Sequence, residues 1–70
     1  MTDTTQAAAA AASEDPEVGL AAVASLRLLV ESLEELQVAN ARAHGWSWQR
    51  IAEALRVTKQ AVHQKYRRLG

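Results

Sequence analysis

Residues 45–69, GWSWQRIAEALRVTKQAVHQKYRRL, carry the pattern that decides the fold. Ser47 stands where a helix N-cap would, and Trp46 and Ile51 take the two positions of a hydrophobic staple around it. Trp48, Ile51, Ala52 and Leu55 recur at helical spacing and define an inward face, leaving Gln49, Arg50, Glu53 and Ala54 outward. The device repeats at Thr58, which caps a second helix with Val57 stapled against Val62. The apolar line of that helix is Val62, Tyr66 and Leu69, while Lys59, Gln60, His63, Gln64 and Arg67 are left to project. The stretch reads as two short helices, of about 8 and 11 residues, joined by a tight turn.

Working backwards, Asp15-Pro16-Glu17 has the form of a helix start. Asp15 can cap, Pro16 suits the first helical position, and Glu17 suits the positive end of the helix dipole. No proline intervenes before Gly45, a natural C-terminal stop, so residues 15–44 are expected to hold one amphipathic helix of about 28 residues, about 42 Å long. Gly19 is its soft spot. In a heptad frame the seam runs Leu26, Leu29, Leu33, Leu36, Asn40 and Ala43, with Val23 and Val30 widening it. Asn40 either fixes register across that seam or hydrogen-bonds the backbone near Gly45. Two short helices can cover only one end of this stripe. A large uncovered apolar surface marks an interface, so Leu26, Leu29, Val30, Leu33 and Leu36 are expected to mate with a second copy, antiparallel or crossed. Residues 1–14, with six alanines at 7–12, are expected to be a mostly disordered tail, with a frayed helical extension as the alternative, because an isolated short helix is marginal in water.

The architecture expected is therefore all-α: three helices in one domain, homodimeric through the first. A 70-residue chain without cysteine has neither disulfides nor thiolate metal sites, and oligomerisation is the staple most easily left to it. His44 and His63 have no third metal ligand in register. No motif supplies a nucleophile with a base, a metal set or a phosphate cradle, so neither an enzyme nor a cofactor is expected. No apolar run is long enough to span a bilayer, and no basic residue precedes the alanine run as in a secretory signal. A cytoplasmic protein with no membrane or small-molecule partner is expected.

Net charge is zero, but its distribution is not even. Residues 1–36 hold seven acidic and one basic side chain, a net of −6; residues 37–70 hold seven basic and one acidic, a net of +6. Such asymmetry points to a nucleic-acid or membrane partner. The two short helices have what a helix-turn-helix needs: small Ala52 for close approach, and Leu55, Val57 and Val62 around the elbow. The second helix then offers groups to the major groove. Gln60 and Gln64 suit adenine N6/N7, and Lys59 or Arg67 suits guanine O6/N7. Thr58 can reach a phosphate or a thymine methyl, and His63 a base or a phosphate. Ser47, Arg50, Arg56, Lys65 and Arg68 are placed for phosphates, contacts that position without reading sequence.

The residues Ser47-Trp48, Ile51-Ala52, Leu55, Val57-Thr58 and Val62 resemble the helix-turn-helix of sigma-factor region 4, over about a third of the chain. One departure is Arg56, at a turn position where that motif usually has glycine. At whole-chain level, the Ala-rich start, one long helix and a terminal GxSWxxIAxALxVTKQAVHQ resemble small actinobacterial helix-turn-helix proteins. One such family consists of nucleoid-associated proteins that bind short GATC-containing sites. That resemblance implies sequence-preferring binding of double-stranded DNA, a place in the nucleoid and broad control of transcription. The sigma-like motif also admits a different reading, an adaptor that contacts the transcription machinery.

Overall fold

The fold comes from a computed structural model that describes residues 4–69. Residues 1–3 of the expected tail and Gly70 of the C-terminal segment lie outside the described residues. Among the described residues the chain is helical throughout, with α1 (Thr4–Ala11), α2 (Pro16–Ala43), α3 (Trp48–Leu55) and α4 (Lys59–Tyr66). A short 3-10 turn, Arg67–Leu69, extends α4. Four α-helices thus stand where three were expected, and α1 occupies the stretch read as a disordered tail.

The reason for α1 lies in the next helix. Alanine has the highest intrinsic helix propensity, but a lone eight-residue helix lacks a surface to pack on. Here Ala7 and Ala22 are both buried. A turn follows Ala11, and the carbonyls of Ser13 and Ala11 lie 3.4 and 3.7 Å from where a Cβ on Gly19 would stand. A side chain at Gly19 would thus meet only ordinary van der Waals contact, and α2 runs through this position from Pro16. The start of α2 is capped as its sequence implies: Asp15 Oδ1 accepts the Glu17 N–H at 3.0 Å, and Ser13 Oγ accepts that of Asp15 at 3.1 Å.

Contacts divide the chain into two compact units, Met1–Leu33 and Glu34–Gly70, with the division inside α2. The last turns of α2 therefore belong with the two short helices and are part of their fold. The second unit is built on Val38, Ile51, Ala52, Val62 and Tyr66, with Ala41, Trp46, Trp48, Leu55 and Leu69 packed around them. Ala52 is 1% exposed, as its small side chain at the α3–α4 approach requires. Truncating one large member of this cluster, such as Ile51 to Ala, costs about 2–5 kcal/mol. That is comparable with the whole stability of a domain this size.

Two turns of the same design set the angles between these helices. At the end of α2, Gly45 (φ 81°) lets its N–H reach Arg42 O and lets Trp46 N–H reach Ala41 O, both at 3.0 Å. At the end of α3, Arg56 (φ 61°, ψ 42°) reaches Glu53 O at 3.3 Å, and Val57 N–H reaches Ala52 O at 3.0 Å. Both are Schellman motifs, in which a left-handed residue closes the last carbonyls of a helix. Arginine performs at 56 what glycine performs at 45.

Candidate nucleic-acid interface

Thr58 opens α4: its Oγ1 accepts the Ala61 N–H at 3.1 Å, as Ser47 Oγ accepts that of Arg50 at the start of α3. Both caps hold as the sequence indicated. From Thr58 onward, Val62 and Tyr66 turn inward and are buried. At 100° per residue, the direction opposite them is occupied by Gln60 and Gln64, both exposed, and the exposed Arg67 follows them in the 3-10 turn. These three form the middle of the outward face. Lys59 and His63 lie on one flank, and Lys65 and Arg68 on the other.

The flanks are not equivalent. His63 leans on the α3 side, its ring 5.3 Å from that of Trp48 and tilted by 55°. Its place among the base-reading candidates is weaker than that of the glutamines, because part of its surface is spent on this contact. On the other flank Lys65 Nζ lies 3.3 Å from Glu34 Oε1, and Arg68 Nη2 lies 2.5 Å from Glu35 Oε1. Two of the five residues assigned to phosphate are therefore engaged within the chain. Tyr66 reinforces the arrangement by donating its hydroxyl hydrogen to Glu34 Oε1. That hydrogen bond, aided by Lys65, holds the Glu34 carboxyl below the usual carboxylate range against a smaller opposing effect of burial. Burial first, and the Glu34 bond second, push the Tyr66 phenol up. The bond to Glu34 likewise raises the Lys65 ammonium.

The remaining phosphate candidates are differently placed. Arg50 stacks on Trp46, its guanidinium carbon 3.6 Å from the ring centroid. A stacked guanidinium keeps its N–H edges in plane and available to an anion. Arg56 is exposed, with its backbone committed to the turn and its side chain leading away from it. Ser47 is also exposed, but its hydroxyl oxygen serves as a cap.

Three residues without an assigned role support the site. Glu34 and Glu35 are 31 and 33 positions from their partners, and no local pattern marks such pairs. Arg42 ties the end of α2 to the start of α3: Nη1 donates to Trp46 O at 2.7 Å, and the guanidinium lies 4.7 Å from the Trp48 ring centroid. Its position, three residues before Gly45, could have suggested a role in closing that turn. Asn40 contributes through its backbone, whose carbonyl accepts from His44 N–H at 3.1 Å and faces His44 Nδ1 at 2.8 Å. A carbonyl only accepts, so this geometry needs the proton on Nδ1. Beside α2 and α3, a groove of about 340 Å³ opens over Val38, Trp46, Ile51 and Leu55, with Gln37 and His44 at its rim.

Of the five residues expected at a dimer seam, Leu26 is half-buried within the chain, while Leu29, Val30, Leu33 and Leu36 are exposed, the last at 60%. Among the described residues, no helix is long and apolar enough to cross a membrane and no cluster of three acidic, His or Cys side chains could hold a metal ion. Comparison with protein-family models, with curated proteins and with solved structures finds no match.

Proposed function

We propose that this protein binds double-stranded DNA through the major groove with α4 as the reading helix, in the manner of a nucleoid-associated protein or global regulator. The observation that carries the reading is the outward face of α4. Gln60 and Gln64, the side chains suited to adenine, stand one turn apart and exposed, with Arg67 beyond them. Cations suited to phosphate flank them, and the capped turn at Thr58 presents the first residues of the helix end-on. Arg50 and Arg56 extend the positive surface along α3 and the elbow.

A second element of the proposal is a homodimer through α2. Leu29, Leu33 and Leu36 follow one another at spacings of four and three and remain exposed, which supports mating with another copy. Conventional dimers hold their reading helices about 34 Å apart. A four-base palindrome cannot offer that spacing, so on a GATC-type site each subunit would read one motif or the pair would dock differently.

Titration of duplex DNA against salt tests the reading. A binder loses affinity with a log–log slope of about −0.9 per phosphate contact. A flat or absent response removes DNA and favours a protein partner in the transcription machinery. Selection of bound sequences from random duplexes then separates a single short motif from two spaced half-sites.

A further inference from the structure

The ion pairs on one flank of α4 bear directly on how a DNA-binding helix of this kind would work, and the role inferred for them rests on that reading of α4. Lys65 and Arg68 are three residues apart, so they lie on neighbouring turns of one side of the α4 end. Opposite them on α2 stand adjacent carboxylates, Glu34 on Lys65 and Glu35 on Arg68. Glu34 is itself steadied by the hydroxyl of buried Tyr66. Each carboxylate thus meets one of the two cations.

Both pairs are open to water, with 50% and 26% exposure for Lys65 and Glu34, and 59% and 52% for Arg68 and Glu35. The Arg68–Glu35 pair, exposed on both sides, contributes little to stability, whereas Glu34 is also held by Tyr66. Exposure also leaves them accessible to a competing anion. A DNA backbone carries about one negative charge per 1.7 Å of axis, a far denser array than two carboxylates.

We propose that Glu34 and Glu35 act as an intramolecular stand-in for DNA phosphate, holding Lys65 and Arg68 until a duplex displaces them. Binding then exchanges carboxylate partners for phosphate partners, and each cation delivers less affinity than a free one would. Phosphate contacts do not depend on base sequence, so this restraint acts on every duplex alike. Base readout by Gln60, Gln64 and Arg67 retains its full effect. The two glutamates are thereby affinity-setting residues, and they act on the sequence-independent part of binding.

The test is a double-mutant cycle on the full chain, with a labelled mixed-sequence duplex as probe in low salt. Glu35→Gln is the principal variant, because its pair is the more exposed. It should bind about two- to fivefold more tightly, the range expected when an exposed ion pair no longer has to be broken. The gain should vanish in an Arg68→Ala background and shrink at high salt. Glu31→Gln, which removes a charge from the same helix, measures the long-range effect alone and should give a smaller gain that survives Arg68→Ala. A Glu35→Gln gain that persists in full without Arg68 would overturn the proposal, as would unchanged or weaker binding by Glu35→Gln. Salt-dependent binding by the unaltered chain with no Glu35–Arg68 coupling defeats this proposal alone. Absence of any salt-dependent binding removes the DNA reading and this proposal with it.

Discussion

Arg56→Gly separates the turn from the cation. Arg56 holds φ 61° and ψ 42°, a left-handed conformation that costs an L-residue about 1–2 kcal/mol. Glycine removes that strain but gives the unfolded chain more freedom, an opposing effect of about 0.5–1 kcal/mol. No ion pair involves Arg56 among the described residues, and its side chain is exposed, so no contact is lost. The net expectation is stabilisation by about 0.5–1 kcal/mol, which for a domain of this size raises Tm by about 2–8 °C. Thermal unfolding followed by circular dichroism at a fixed protein concentration reads the change, since a dimer's Tm depends on concentration. Arg56→Ala keeps the strained backbone and should show no comparable rise. Gly45→Ala supplies the mirror image: nothing lies within 4 Å of a Cβ there, so its cost is that of the backbone alone and Tm should fall. In DNA binding both Arg56 variants should lose about 0.9 from the salt slope. A glycine variant that melts no higher than the alanine variant would refute the assignment of strain to this turn.

Three other perturbations address the remaining parts. Leu33→Asp places a charge at the middle of the exposed seam and should give a monomer or an unfolded chain in sedimentation; a dimer of unchanged mass would rule out α2 as the mating element. Gln60→Ala should relax discrimination at one base position, with a loss of about 1–3 kcal/mol confined to the preferred site. A uniform loss on all duplexes would instead make Gln60 a backbone contact. The third is a pH dependence. The Glu34 carboxyl is held below its ordinary value in the folded chain, so its contribution to stability is present above the unfolded pKa and is lost as pH falls through the folded one. The gap in urea midpoint between the unaltered chain and Glu34→Gln should therefore narrow on acidification, and a gap of constant size would show that the carboxylate charge plays no part.

What the sequence makes legible depends on how local each signal is. The caps at Asp15, Ser47 and Thr58 are three- or four-residue patterns, and each closes the bond its pattern implies. The inward lines of α3 and α4 depend only on helical periodicity, and Ile51, Ala52, Val62 and Tyr66 are buried accordingly. Arg56 was readable as a departure because a turn between two helices asks for a left-handed residue, and arginine holds that conformation. The helix at Thr4–Ala11 was legible only as an alternative to disorder, because so short a helix depends on contacts beyond its own residues. The Glu34 and Glu35 pairs escaped for the same reason: a carboxylate on one helix and a cation some thirty residues later have no mutual spacing rule. Lys65 and Arg68 project from the end of α4 as phosphate candidates would, but their carboxylate partners stand on α2, beyond any local pattern.

On α2 the intrachain core and the exposed leucines occupy different faces of one cylinder. Val38 is 2% exposed and sits in the small core, whereas Leu36, two residues earlier, is 60% exposed. Two residues are a rotation of about 200°, so Val38 and Leu36 face nearly opposite sides of α2 and one small core cannot cover both. Replacing Leu36 with a polar residue would settle the intrachain balance but abolish the spacing of four and three that it forms with Leu29 and Leu33. The exposed leucines are therefore at odds with a solitary chain and in accord with a paired one. The core they flank draws only Val38 and Ala41 from α2. A module with so few buried residues gains most from an added interface, because each square ångström removed from water contributes about 25 cal/mol without ordering any further loop. The smallness of this core, as much as the exposed leucines, supports the proposed pairing of α2, and under that proposal the stability of α4 would follow the pairing.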